Sequence, residues 1–131
     1  MSLGLDTTVL LRLLTGEPAR EASLARARLE RAYAVRERVV VTDLVLAEAY
    51  FALHYHYGIA KEEARSHLRR MAGSGILTVS PPEAVWALDA SAGAGLADRL
   101  IHARHRAEGV ATLTFDRKVA ALEGAVRLGS R

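Results

Sequence analysis

Val39-Val40-Val41-Thr42-Asp43-Leu44-Val45-Leu46-Ala47-Glu48-Ala49-Tyr50-Phe51-Ala52-Leu53 passes from a β-branched run through two polar residues into a long apolar segment. Three successive β-branched residues between polar ones suit a central, buried strand. Thr42 or Asp43 then offers the side-chain oxygen that a helix N-terminus needs, and the helix that follows is expected to run to about Tyr57. Strand running directly into helix is the repeating unit of α/β proteins.

The same order recurs on both sides. Leu3 to Leu5 reads as a short buried strand, Asp6-Thr7-Thr8 as a polar turn, and Val9 to Leu14 as a helix that Gly16 and Pro18 end. Ala22, Ala25, Leu29 and Ala32 recur at helical spacing, which predicts an amphipathic helix over about residues 18–38. Beyond the central unit the pattern predicts a helix over 61–71, a turn at Gly73 to Gly75, and a strand over 76–79 that Pro81-Pro82 stops. Helices over 84–90 and 96–108, a strand over 110–113, a short helix over 116–122 and a weak strand over 125–128 complete the chain. Short apolar strands alternating with helices imply a three-layer α/β/α domain spanning residues 1–131, its central sheet mainly parallel and of four to five strands. In such sheets ligands bind beyond the carboxyl ends of the strands, where the strand order reverses.

Composition narrows the chemistry. The chain has 131 residues, half of them hydrophobic, enough for a core without disulfides or structural metal. With no cysteine, a disulfide framework, a zinc-thiolate site and a thiol nucleophile are excluded. No apolar run approaches the ~20 residues that cross a bilayer, and Met1-Ser2-Leu3-Gly4-Leu5 lacks the basic-then-apolar pattern of a leader. A cytoplasmic protein without membrane association is expected. The net charge of +3 rests on arginine, since Lys61 and Lys118 are the only lysines. Arginine forks match phosphate, so a polyanionic substrate is permitted, though not identified. Gly93-Ala94-Gly95 precedes a helix but lacks the lysine and spacing of a phosphate-binding loop.

Acidic residues stand out. Asp6 follows the first strand, Asp116 follows the strand over 110–113, and Asp98 lies in the first turn of its helix, so all three reach one sheet edge. Taken singly, each is also an ordinary helix cap. Glu48 is different, because it lies within a helix apolar nearly all round and is expected to be buried. An ionised carboxylate there needs a partner, either one of the arginines or the same acidic edge. Four gathered carboxylates suit a hard cation, and oxygen ligands favour Mg²⁺ or Mn²⁺. In phosphodiester cleavage such ions activate water and stabilise the leaving oxygen; whether one or two bind stays open. Thr114 and Thr7, beside two of the acids, are candidates to orient a ligand or water. Arg99 and Arg117 each follow an acid and are candidates to hold substrate phosphates.

Other features compete. Asp98, His102 and His105 share a helical face and suggest a transition-metal site, without the glutamate of an HExxH pattern. His54 and His56, among Tyr50, Phe51, Tyr55 and Tyr57, suggest base stacking, with core or subunit interface preferred; a homodimer is therefore expected. Asp43 and Asp89 read as a cap and a loop residue.

Four segments carry a family resemblance. Leu5-Asp6-Thr7-Thr8-Val9-Leu10-Leu11-Arg12-Leu13-Leu14 resembles the opening of PIN-domain proteins. Val41-Thr42-Asp43-Leu44-Val45-Leu46-Ala47-Glu48 resembles their second strand and glutamate-bearing helix. Gly95-Leu96-Ala97-Asp98-Arg99-Leu100-Ile101 and Leu113-Thr114-Phe115-Asp116-Arg117 are similar to the third and fourth acidic segments. The resemblance implies a PIN-like domain and a metal-dependent endoribonuclease of the VapC toxin type, cutting RNA with Mg²⁺ or Mn²⁺. It implies Asp6, Glu48, Asp98 and Asp116 as the metal-binding acids, a cognate antitoxin protein as partner, and a homodimer. Thr8 departs from the family, which more often has Asn or Ser there. The contrasting expectation is a non-catalytic PIN-fold module binding RNA or protein, its acids serving only as caps.

Overall fold

The computed structural model describes residues 2–90 and 92–129; Met1, the first residue of the amino-terminal stretch read above, lies outside it. The elements in chain order are β1 (Ser2–Gly4), α1 (Thr7–Thr15), α2 (Ala19–Ala34), β2 (Arg38–Thr42), α3 (Asp43–Tyr55), α4 (Lys61–Ala72), β3 (Thr78–Ser80), α5 (Ala84–Ala87), α6 (Leu96–Ala107), β4 (Thr112–Thr114), α7 (Arg117–Ala120) and β5 (Ala125–Arg127). Every strand pairing is parallel. β2 lies between β1 and β3, with Leu3 opposite Val39 and Val41 opposite Val79, and β4 pairs with β5 in a second, two-stranded sheet. Helices flank the strands, giving the three-layer α/β/α architecture, with the five strands hydrogen-bonded as sheets of three and two where one sheet of four to five was expected.

Local chemistry sets the boundaries that matter for the site. Asp6 caps α1 by accepting from the Val9 N–H at 3.0 Å, and Gly16 ends it in the left-handed conformation (φ 71°), donating its N–H to Arg12 O. Thr42 caps α3 through the Val45 N–H, so the turn from β2 into α3 is fixed by one hydroxyl. α2 stops at Ala34, before the expected residue 38. Arg36 takes a left-handed φ of 59°, and the Glu37 N–H returns to Ala32 O, which releases the chain into β2. β3 and β4 each begin two residues later than expected: Ile76 and Val110 are exposed, and their apolar side chains do not extend the ladder.

The core is built around β2. Val39 and Val41 are fully buried beside Leu10, Leu53, Leu68 and Leu88. α3 buries Leu46, Ala49, Tyr50 and Leu53, one stripe at helical spacing. No helix of the described residues is long and apolar enough to cross a membrane.

Candidate active site

Asp6 stands where β1 ends; the Leu5 N–H still pairs with Val40 O at 2.9 Å, so the aspartate is the first residue beyond the ladder. The next residue, Thr7, opens α1 and donates its hydroxyl to Glu48 Oε1 at 2.8 Å. Glu48 is exposed, not buried as its apolar helix suggested. The reason is that α3 turns Leu44, Glu48, Phe51 and Tyr55 outward together, a second stripe opposite the buried one. Glu48 therefore neither caps a helix nor pairs with an arginine among the described residues: it meets the segment that carries Asp6.

Asp116 follows β4. Its Oδ1 accepts from the Val119 N–H at 2.9 Å, capping α7, while its own N–H donates to the Thr114 hydroxyl at 2.9 Å. Thr114 thus fixes the turn that presents the carboxylate. Asp98 lies in the first turn of α6, whose N-cap is Gly95, and it is exposed. α6 packs on β4 and joins it through residues 108–111, so it runs back against that strand and its first turn lies toward the strand's carboxyl end. The cap explanation holds for Asp6 and Asp116, in each case through one carboxylate oxygen. It fails for Asp98 and Glu48.

Arg99 donates Nε to Ala94 O at 2.9 Å and Nη2 to Ala92 O at 2.6 Å, so its guanidinium pins the loop leading into Asp98. Gly93 sits in that loop at φ 85°, where a side chain is strained and its Cβ would press on the same guanidinium. Arg117 is exposed and makes no side-chain bond among the described residues.

The remaining polar candidates are structural. Asp43 does not cap α3; Arg104 of α6 forks onto both its oxygens at 2.7 and 2.9 Å, locking the two helices together. That hydrogen-bonded guanidinium holds the Asp43 carboxyl below its ordinary pKa, against the opposing pull of desolvation. Asp89 pairs with Arg69 at 2.9 Å. His102 is buried, with Nδ1 against the Thr112 hydroxyl and Nε2 against Glu123 O, both at 2.7 Å; His105 reaches the same hydroxyl at 2.8 Å. With both its nitrogens engaged, His102 is a core residue, not a metal ligand beside Asp98.

Side-chain contact thus joins the Asp6–Thr7 segment to Glu48, while Asp98 and Asp116 make none with the other acids. Among the described residues, no three Asp, Glu or His side chains stand close enough to share a metal ion. By donor type the four acids do fit a hard divalent cation: they offer oxygen alone, are exposed, and form no ion pair among the described residues.

Residues 4–125 match the PIN domain family, nearly the whole chain. The chain belongs to the PIN domain family. PIN domains are generally nucleases, hydrolases that as a rule use divalent metal ions. No curated protein and no solved structure matches the chain. Seen as a PIN domain, the arrangement has a plain logic: acids are presented by a strand end, a helix face, a helix first turn and a second strand end. Sequence reasoning named these acids and also the aromatic cluster that holds Phe51 and Tyr55, for which it preferred core or subunit interface, but it did not set the two rings on the face of Glu48. Phe51 and Tyr55 follow it at i+3 and i+7, a spacing that was visible in the chain and places them on the same face.

Proposed function

We propose that this PIN domain is a metal-dependent endoribonuclease that hydrolyses RNA phosphodiester bonds, with Asp6, Glu48, Asp98 and Asp116 as the acids that hold Mg²⁺ or Mn²⁺. The observation that carries the reading is the Thr7–Glu48 hydrogen bond: an acid that caps no helix is tied to the residue next to Asp6, where a β-strand ends. Asp6, Glu48, Asp98 and Asp116 would hold such an ion, and the chemistry supplied there would be a lowered pKa for an attacking water and stabilisation of charge on the leaving oxygen. The chain's own contribution is placement. Capping engages one oxygen each of Asp6 and Asp116, Thr7 holds Glu48 by one oxygen, and Thr114 sets the approach to Asp116.

On the same reading the protein is the toxin of a toxin–antitoxin pair and forms a homodimer. Support comes from exposed apolar surface. A groove of about 450 Å³ between β1, α1 and α2 is lined by Leu3, Leu5, Val9, Leu13, Leu24 and Leu29, suited to an antitoxin segment. Leu44 and Ile101, 69% and 53% exposed, border a second groove between α3 and α6, suited to another copy of the chain.

The capping roles of Asp6 and Asp116 favour a second reading, a non-catalytic PIN-fold module that binds RNA or protein. Digestion of total cellular RNA separates the two. The purified protein is expected to release new RNA ends with Mn²⁺ or Mg²⁺ and none with EDTA; intact RNA under both conditions favours the module.

A further inference from the structure

Beside the Thr7–Glu48 pair lies a cleft of about 380 Å³ lined by Thr7, Glu48, Phe51, Ala52, Tyr55 and His56. Its wall is aromatic. The rings of Phe51 and Tyr55 stack with centroids 6.2 Å apart and planes 20° apart, although the residues are 40% and 66% exposed. Each ring has a further ring as neighbour. Tyr50, buried in the core, meets Phe51 edge-on at 5.4 Å, and His54, whose Nδ1 is held to Ile59 O at 2.8 Å, meets Tyr55 edge-on at 4.7 Å. Aromatic side chains have only two rotatable bonds, so such a pair loses little conformational freedom when a flat ligand lies on it.

We propose that this platform is a nucleobase subsite, taking one unpaired base of an RNA strand whose scissile phosphate lies at the acids. Continuity argues for this occupant: Glu48 and Thr7 line the same cleft as the rings, and the platform begins about one helical turn beyond Glu48 on the same face of α3. A strand lying across the acids thus brings a neighbouring base over Phe51 and Tyr55. Stacking on aromatic faces tolerates every base, so the subsite selects single-stranded RNA over duplex rather than a particular sequence. A second copy of the chain is the competing occupant, and a protein surface seated on the rings predicts different behaviour in solution.

The inference rests on the ribonuclease reading for its substrate, and its test is independent of cleavage. Binding is measured in EDTA by fluorescence anisotropy, with a short labelled single-stranded oligoribonucleotide and an abasic strand of equal length. Tyr55→Ala is expected to weaken binding of the base-bearing strand by about tenfold, within the range known for base–aromatic stacking, and to leave abasic binding unchanged. Tyr55→Phe is expected to restore it, and Phe51→Ala to behave like Tyr55→Ala. Equal weakening on both strands, unchanged binding of the base-bearing strand, or no binding of it by the unmodified chain each overturns the subsite. So does a change of sedimentation in Tyr55→Ala without base-dependent loss, which assigns the rings to an interface between copies. Base-dependent binding without RNA cleavage in Mn²⁺ keeps the subsite and removes the ribonuclease reading; cleavage with Tyr55-independent binding does the reverse.

Discussion

Thr7 and Glu48 are joined by one hydrogen bond, and on the proposed reading that bond orients a metal-binding acid. A carboxylate accepts through both oxygens, so a hydroxyl on Oε1 orients Glu48 and leaves Oε2 for another partner. Thr7→Val removes that hydrogen bond while keeping the side-chain shape, and it is expected to lower Mn²⁺-dependent cleavage by roughly ten- to a hundredfold, the usual effect of losing a partner that orients a ligand. Thr7→Ser retains most activity; equal rates in Thr7→Val and the unmodified protein contradict the role. Asp6→Asn is expected to abolish cleavage and leave the circular dichroism spectrum intact, because an amide oxygen still caps α1 while the negative charge is gone. Asp43 belongs to the fold instead. Its pKa is depressed by Arg104, so its contribution to stability is fully present above the ordinary carboxylate pKa and is lost as pH falls through the lower, folded value. Asp43→Asn therefore lowers Tm modestly at pH 7, and the gap to the unmodified protein closes on acidification below pH 4; a gap independent of pH contradicts the assignment.

At the scale of elements, the contact between α6 and β4 is built on Thr112, whose single hydroxyl serves His102 and His105. Thr112→Val leaves a buried imidazole nitrogen without its partner and is expected to destabilise the fold by about 1–3 kcal/mol, read as a lower urea midpoint. An unchanged midpoint means that the hydroxyl does not hold the contact. The order of strands and helices was legible in the chain, because caps and stops are local chemistry: Thr42, Gly16 and Pro81 each mark a boundary by the side chain they carry or the backbone they adopt. The ends of β3 and β4 were not, since a three-residue strand is defined by the partner it meets and not by its own hydropathy. α3 was misread for a related reason. Leu44, Phe51 and Tyr55 make its outer face look like core, and hydropathy alone cannot tell an apolar face covered by the fold from one offered to a ligand. His102 fails the other way: its burial depends on Thr112 and Glu123, which only folding brings to it.

For the whole molecule, topology does what no single motif does. Parallel strands place Asp6 and Asp116 past carboxyl ends, Asp6 beyond β1 of the three-stranded sheet and Asp116 beyond β4 of the two-stranded one, while side-chain contact joins only the Asp6–Thr7 segment to Glu48. Exposed Leu44 and Ile101 lead to a further expectation: the purified chain sediments as a dimer, and Ile101→Asp shifts it to monomer by introducing an unpaired charge into an apolar contact. A monomeric unmodified chain at micromolar concentration contradicts the dimer. The central claim is that four separated carboxylates act together on a metal ion. The measurement that tests it most directly is a Mn²⁺ titration of the purified protein, followed calorimetrically, alongside Asp6→Asn, Glu48→Gln, Asp98→Asn and Asp116→Asn. Saturable binding is expected in the unmodified protein, markedly weakened in each variant; no saturable binding, or binding indifferent to all four substitutions, contradicts a shared metal site.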